Sequence, residues 1–100
     1  MNEKTITFLQ VLLQKSQEVS TRQKLKQLAQ DLISEKDLND LKQKFEKNVF
    51  EPPAIISDII NMWIKNYGRG ATLTKFEQIL RKHCLNPEAG KCMANENELT

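Results

Sequence analysis

The stretch "IISDIINMWIKNYGRGATLTKFEQIL", Ile55 to Leu80, decides how this chain folds. Ile55, Ile56, Ile59, Ile60, Trp63, Ile64 and Tyr67 recur at steps of three and four, which lays them along one side of an α-helix. This is the strongest apolar face in the chain, and it carries the only Trp and the only Tyr. It is expected at the middle of a core. Gly68 stops the helix where a left-handed C-cap is expected. Arg69 and Gly70 complete a corner, and a new amphipathic pattern opens after Thr72 with Leu73, Phe76, Ile79 and Leu80 inward. An arginine between two glycines is either a soluble residue in a plain helix–helix corner or a cation presented to a partner. Residue type alone supports both readings, since short exposed loops carry charge by default.

Upstream, Val49 and Phe50 lead into Glu51-Pro52-Pro53. Proline is tolerated in a helix's first turn and excluded from its interior, so these prolines open the Trp-bearing helix. A first helix is expected over about residues 6–17, from Ile6, Leu9, Leu12 and Leu13, widened by Phe8 and Val11. Ser20-Thr21-Arg22-Gln23 reads as a capping box for a second helix, in which Leu25, Leu28, Ala29 and Leu32 make one stripe. Ser34-Glu35-Lys36-Asp37 caps a third, with acids in the first turn and Leu38, Leu41 and Phe45 inward. Downstream, Asn86-Pro87-Glu88 predicts a short sixth helix from Pro87 to about Met93 that tucks Ala89 inside. One domain over residues 1–94 and a disordered polar tail over 95–100 are expected, and no internal repeat or linker is visible.

Composition narrows the function. At 100 residues the chain holds a single core. No apolar run approaches the roughly 20 residues that span a bilayer. Met1-Asn2-Glu3-Lys4 is not the start of a signal peptide, so the cytosol or nucleus is the default. The 15 basic and 13 acidic residues leave a net charge of +2, split nine to seven in residues 1–50 and six to six in 51–100. Neither half is a basic arm for nucleic acid. Cys84 and Cys92 are eight apart, with His83 beside the first. Three scattered ligands without a close pair do not make a zinc site, and two reduced, partly buried thiols are expected. Catalysis needs a nucleophile and a base in reach of each other. His83 and Cys84 are adjacent, so on a helix they point about 100° apart. No phosphate-cradling glycine loop is present. No enzyme activity and no cofactor are expected.

The order of motifs resembles a death domain. That family closes on a helix of the form "LL-x-x-W", a Gly-bearing loop, "AT-x-x-x-L-x-x-x-L" and a short last helix. "IINMWIKNYGRGATLTKFEQILRKHCLNPEAGK" follows that order, with Trp63, Gly68, Ala71-Thr72, Phe76, Leu80 and Ala89 at the matching places. "LKQLAQDL" likewise fits the family's second helix through Leu28-Ala29 and Leu32. Leu25 stands where the family often has Trp, and Ile33-Ser34 where it often has Gly. These departures leave caspase-recruitment and death-effector relatives open for the first half. The resemblance is strongest over residues 55–91. It implies an all-α, six-helix antiparallel Greek-key bundle and a non-enzymatic, cytoplasmic adaptor or docking domain in apoptotic or innate-immune signalling. A second death-fold protein is the implied partner, with self-association, and with neither nucleic acid nor membrane. The early start of the first helix suggests a domain excised from a larger signalling protein.

Family surfaces carried onto this chain give four sets of candidate contact residues, in two facing pairs. The end of the fourth helix and its corner place Lys65, Asn66, Tyr67 and Arg69 on one surface. Its complement is Asn86, Pro87 and Glu88, with His83 beside them. A further pair of surfaces draws on Arg22, Lys26, Asp37, Asp40 and Lys44 of helices two and three, facing Gln17, Glu18 and Asp58. From spacing alone, Asp40 and Lys44 form an intrahelical i,i+4 pair. The alternative is a small helical nucleic-acid-binding domain built on the acid-free run Arg22, Lys24, Lys26 with Lys65, Arg69, Arg81 and Lys82. Asp31, Asp37, Asp40, Asp58 and Glu77 interrupt any phosphate-tracking stripe, and most charge runs are solvated helix faces.

Overall fold

Each change of direction in this chain is set by a local device that satisfies the orphan groups of a helix end. The computed structural model describes residues 3–46 and 51–99, with side chains through Cys92. Val49 and Phe50 lie outside the described residues. The described residues form six α-helices: α1 Glu3–Lys15, α2 Arg22–Leu32, α3 Glu35–Glu46, α4 Pro52–Tyr67, α5 Leu73–Lys82 and α6 Asn86–Leu99. A single 3-10 turn, Gly68–Gly70, joins α4 to α5. No strand occurs among the described residues.

Most of the expected elements are present, with shifts at their ends. α1 stops at Lys15 rather than residue 17, because Ser16 starts a turn in which its Oγ accepts from the Val19 amide at 3.3 Å. That turn carries Val19 into the core, where it is fully buried. The cap of α2 is Thr21, not Ser20: Thr21 Oγ1 accepts from the Lys24 amide at 3.2 Å. Ser20 instead donates to the Leu13 and Gln14 carbonyls at the end of α1, at 3.4 and 3.5 Å. Gln23 is therefore one place too early to close the expected capping box. Ser34 caps α3 as expected, accepting from the Asp37 amide at 3.3 Å. Thr72 caps α5, accepting from the Lys75 amide at 3.2 Å. Pro52 and Pro53 occupy the first turn of α4. α6 continues past the expected end near Met93. Beyond Gly90 the sequence holds no proline or glycine, and Ala94, Glu96, Glu98 and Leu99 offer no local reason to stop.

α1 packs on α4 and touches α6; α2 meets α3, α4 and α5; α3 lies on α4; α5 and α6 form a closely packed hairpin. The radius of gyration is 12.8 Å, close to the roughly 13 Å of a packed chain of this length. α4 supplies the middle of the core, with Ile55, Ile56, Ile59, Ile60 and Trp63 all buried. The Trp63 ring meets the edge of Phe76 from α5, centroids 5.2 Å apart at 61°. Such a pair adds about 0.5–1.5 kcal/mol beyond the area it buries. Leu80, Leu85, Ala89 and Cys92 close the far side, each fully buried. Cys92 is therefore a core residue and Cys84 an exposed one, where both were expected to be partly buried.

Candidate interaction surface

The last turn of α4 and the 3-10 turn present Lys65, Tyr67 and Arg69 within five consecutive residues, all exposed. The apolar face of α4 runs out at Tyr67, which is 48% exposed where Trp63 one turn earlier is 1% exposed. Gly68 ends the helix with φ of 52° and ψ of −117°, its amide reaching the Ile64 carbonyl. The ψ of −117° takes Gly68 outside the expected left-handed helical well, and its positive φ is one that side-chain-bearing residues avoid. Gly70 has no such requirement: a Cβ placed there would sit in ordinary contact, 3.9 Å from the Tyr67 Cβ. The Ala71 amide then donates to the Gly68 carbonyl at 3.1 Å, closing the corner with Arg69 at its tip.

Asn66 is differently occupied. Its Nδ2 donates to Asp37 Oδ2 at 2.5 Å, tying the end of α4 to the first turn of α3. The expectation put these two residues on separate surfaces; the fold spends them on each other. The expected Asp40–Lys44 pair also gives way. Lys44 Nζ instead bonds Asp58 of α4, so Asp58 is not a free acid either. An i,i+4 pair on an exposed helix contributes only a few tenths of a kcal/mol, and a partner on the adjoining helix displaces it. Asp40, Lys26, Gln17 and Glu18 remain exposed. Arg22 is exposed but engaged by another group. Lys26 lies with Lys42 at the rim of a groove of about 210 Å³ floored by Leu38 and Phe45.

The corner between α5 and α6 is built as a Schellman motif. Cys84 takes the left-handed position with φ of 61°. Its amide donates to the Arg81 carbonyl at 3.0 Å, and the Leu85 amide donates to the Leu80 carbonyl at 2.9 Å. Leu80 and Leu85, both fully buried, supply the apolar contact that accompanies this cap. Asn86 and Pro87 are exposed, as an outward surface requires. Glu88 is not: its Oε1 accepts from Ser16 Oγ at 2.9 Å, and its Oε2 is buried without a hydrogen-bond partner among the described residues. Glu77, another expected surface acid, is buried against its own helix and bonds Arg81.

His83 is held against α2. Its Nε2 is 2.5 Å from Asp31 Oδ2, and its carbonyl accepts from Lys24 Nζ at 3.2 Å. A carboxylate only accepts, so Nε2 carries the proton. Burial works against ionisation of Asp31. The His83 hydrogen bond and the Lys82 ammonium, 3.4 Å away, outweigh it and hold the Asp31 carboxyl below its ordinary 3.8. No hydrogen bond joins the Cys84 thiol to the His83 ring.

Among the described residues, no three His, Cys, Asp or Glu side chains gather as metal ligands. No helix among the described residues is long and apolar enough to cross a membrane. Compared with protein-family models, with curated proteins and with solved structures, the chain matches none. Ser16 is a residue at these corners that spacing did not single out. Its partner lies 72 residues away, and nothing in its neighbours announces that.

Proposed function

We propose that this chain is a non-enzymatic protein-docking domain of the death-fold type, an adaptor or the docking part of a signalling protein. Its partner is another death-fold protein, and its setting is cytoplasmic apoptotic or innate-immune signalling. The observation that carries the docking reading is the exposed Lys65–Tyr67–Arg69 corner, held out at the end of a helix whose Trp63 is sealed in the core. Arginine and tyrosine are the residue types most enriched where binding energy concentrates. Six helices with α1 against α4 and α6, α2 against α5 and α3 against α4 support the antiparallel bundle that the motif order implies.

The chemistry of the polar groups favours docking over catalysis. His83, the single imidazole, is turned to Asp31 with its side chain 15% exposed, and no nucleophile is bonded to it. Catalysis needs a reacting atom within reach of both a base and a nucleophile, and His83 is committed to Asp31 instead. The nucleic-acid reading draws on the same cations, yet Asp37 sits on the adjoining helix end and Asp58 and Glu77 are committed to Lys44 and Arg81. What is left is a small cationic spot, where duplex binders commonly neutralise about 6–10 phosphates.

The test is capture from cell extract with the purified domain, beside an Arg69→Glu variant of unchanged helical circular dichroism and melting temperature. Recovery of a death-fold protein, weakened by the substitution, is the expected result. Equal recovery by both forms removes Arg69 from the contact. Tight, sequence-selective binding of oligonucleotides at physiological salt replaces the docking reading with the nucleic-acid one.

A further inference from the structure

The α4 corner and the α5–α6 corner are expected to be the two halves of one contact, and Glu88 is the acid on the second half. As folded, that acid is withdrawn. Glu88 Oε1 is taken by Ser16 and Oε2 is buried. Glu77 is bonded to Arg81, with its side chain 11% exposed, and Asp31 is held between His83 and Lys82. Lys82, 70% exposed, and Arg81, 49% exposed, reach outward at this end but are paired with Asp31 and Glu77, and Lys91 is exposed. Lys65 and Arg69 face outward at the other corner. Among the described residues, the α5–α6 corner therefore holds no outward, uncommitted acid for the α4 corner, and Lys91 adds a cation.

Brought together, Lys65 and Arg69 would meet no available acid there, and Lys91 would repel either by about 1 kcal/mol at 4 Å in water. Charge of this kind selects partners more than it sets affinity. From this we infer that the α4 corner docks on an acidic surface of a different protein, not on the α5–α6 corner of a second copy of this chain. The inference rests on the docking reading above and names the partner's chemistry. That partner carries carboxylates flanking an apolar recess. The Arg69 guanidinium takes a carboxylate through its fork of donors, Lys65 takes another as a point charge, and the half-exposed Tyr67 ring fills the recess. A folded acidic surface can place its carboxylates opposite Lys65 and Arg69 and keep its neutral part over Asp37. A phosphate strand is continuous charge and must pass that carboxylate.

The experiment follows backbone amide resonances of the full chain across a concentration series, then through two titrations. The probes are a short glutamate-rich helical peptide and an oligothymidylate of equal formal charge. Expected are resonances at 65–70 and 81–91 that do not move with protein concentration, and peptide-induced shifts gathered at 65–70. Arg69→Glu should weaken the peptide about tenfold, the factor equivalent to 1.4 kcal/mol, while Arg69→Lys keeps most of the binding. Concentration-dependent shifts at both corners, abolished by Arg69→Glu, would mean the corners fit each other; the inference then fails and the docking reading survives. A peptide that shifts other residues, or none, rules out the acidic partner. Tighter binding of the oligothymidylate than of the peptide at 65–70 overturns the docking reading itself.

Discussion

Replacing Cys84 with glycine should make this domain more stable, although it removes a side chain and adds no contact. Cys84 holds φ at 61° because the Schellman turn requires it: the amides of Cys84 and Leu85 must reach back to the Arg81 and Leu80 carbonyls. A side-chain-bearing residue in that conformation costs about 1–2 kcal/mol, from Cβ crowding against the following carbonyl. Glycine removes the cost but gives up about 0.5–1 kcal/mol through the greater freedom of its unfolded chain. Cys84 is exposed, so the thiol's removal leaves no cavity. The balance is a gain of about 0.5–1 kcal/mol. For a domain of this size that raises the melting temperature by roughly 2–8 °C. Thermal unfolding followed by circular dichroism reads it directly, with Cys84→Ala as the control that deletes the sulfur and keeps the strain. Alanine should leave the melting temperature within about a degree or two of the parent. If glycine melts no higher than alanine, the turn is not strained at this position and the reasoning fails.

Two other glycines should answer in opposite directions. Gly68→Ala meets no atom within 4 Å yet must adopt φ of 52°, so it should cost about 1–2 kcal/mol by denaturant titration. Gly90→Ala, inside α6 in equally open space, should gain up to about 1 kcal/mol from helix propensity. Trp63→Ala empties the place where α4 meets Phe76 and should cost about 3–5 kcal/mol, read as loss of the cooperative thermal transition. Asp31→Asn should cost about 1 kcal/mol at neutral pH, discounted for partial exposure. Because the folded carboxyl titrates below its unfolded value of 3.8, the stability it contributes is present above that pH. It is lost as pH falls through the lower folded value. Parent and variant should therefore converge in acid below 3.8, as measured by urea titrations across pH; a constant gap there would contradict the assignment.

The parts of this fold that were legible in the sequence are those whose cause is local. The three- and four-residue spacing of Ile55 through Tyr67, the prolines at 52 and 53 and the hydroxyl at Thr72 act within one turn of where they stand. Each led to the element that is observed. Adjacent hydroxyls defeated that logic at Ser20 and Thr21. Either can cap, and the choice depends on Ser20 finding the carbonyls of α1. The left-handed position at Cys84 was not legible because glycine is its usual marker, while Gly68 drew the expectation to the other corner. For the candidate surface the divide is sharper. Whether Lys65 reaches solvent follows from helix phase, and whether Arg69 does follows from its place in a short corner. Whether Glu88, Asn66, Asp58 or His83 does depends on partners brought together only by tertiary packing.

Ser16 with Glu88, Lys24 with the His83 carbonyl, and Asp31 with His83 join groups 72, 59 and 52 residues apart. All three fasten the α5–α6 hairpin to the first third of the chain. While the polypeptide is still leaving the ribosome, α1 and α2 have their own caps but none of these fastenings, and the apolar flank meant for α5 and α6 stays wet. The domain therefore closes late, after its final helix has emerged, and a transcript that stops near the Gly-Arg-Gly corner would release a sticky fragment in place of a weakened domain.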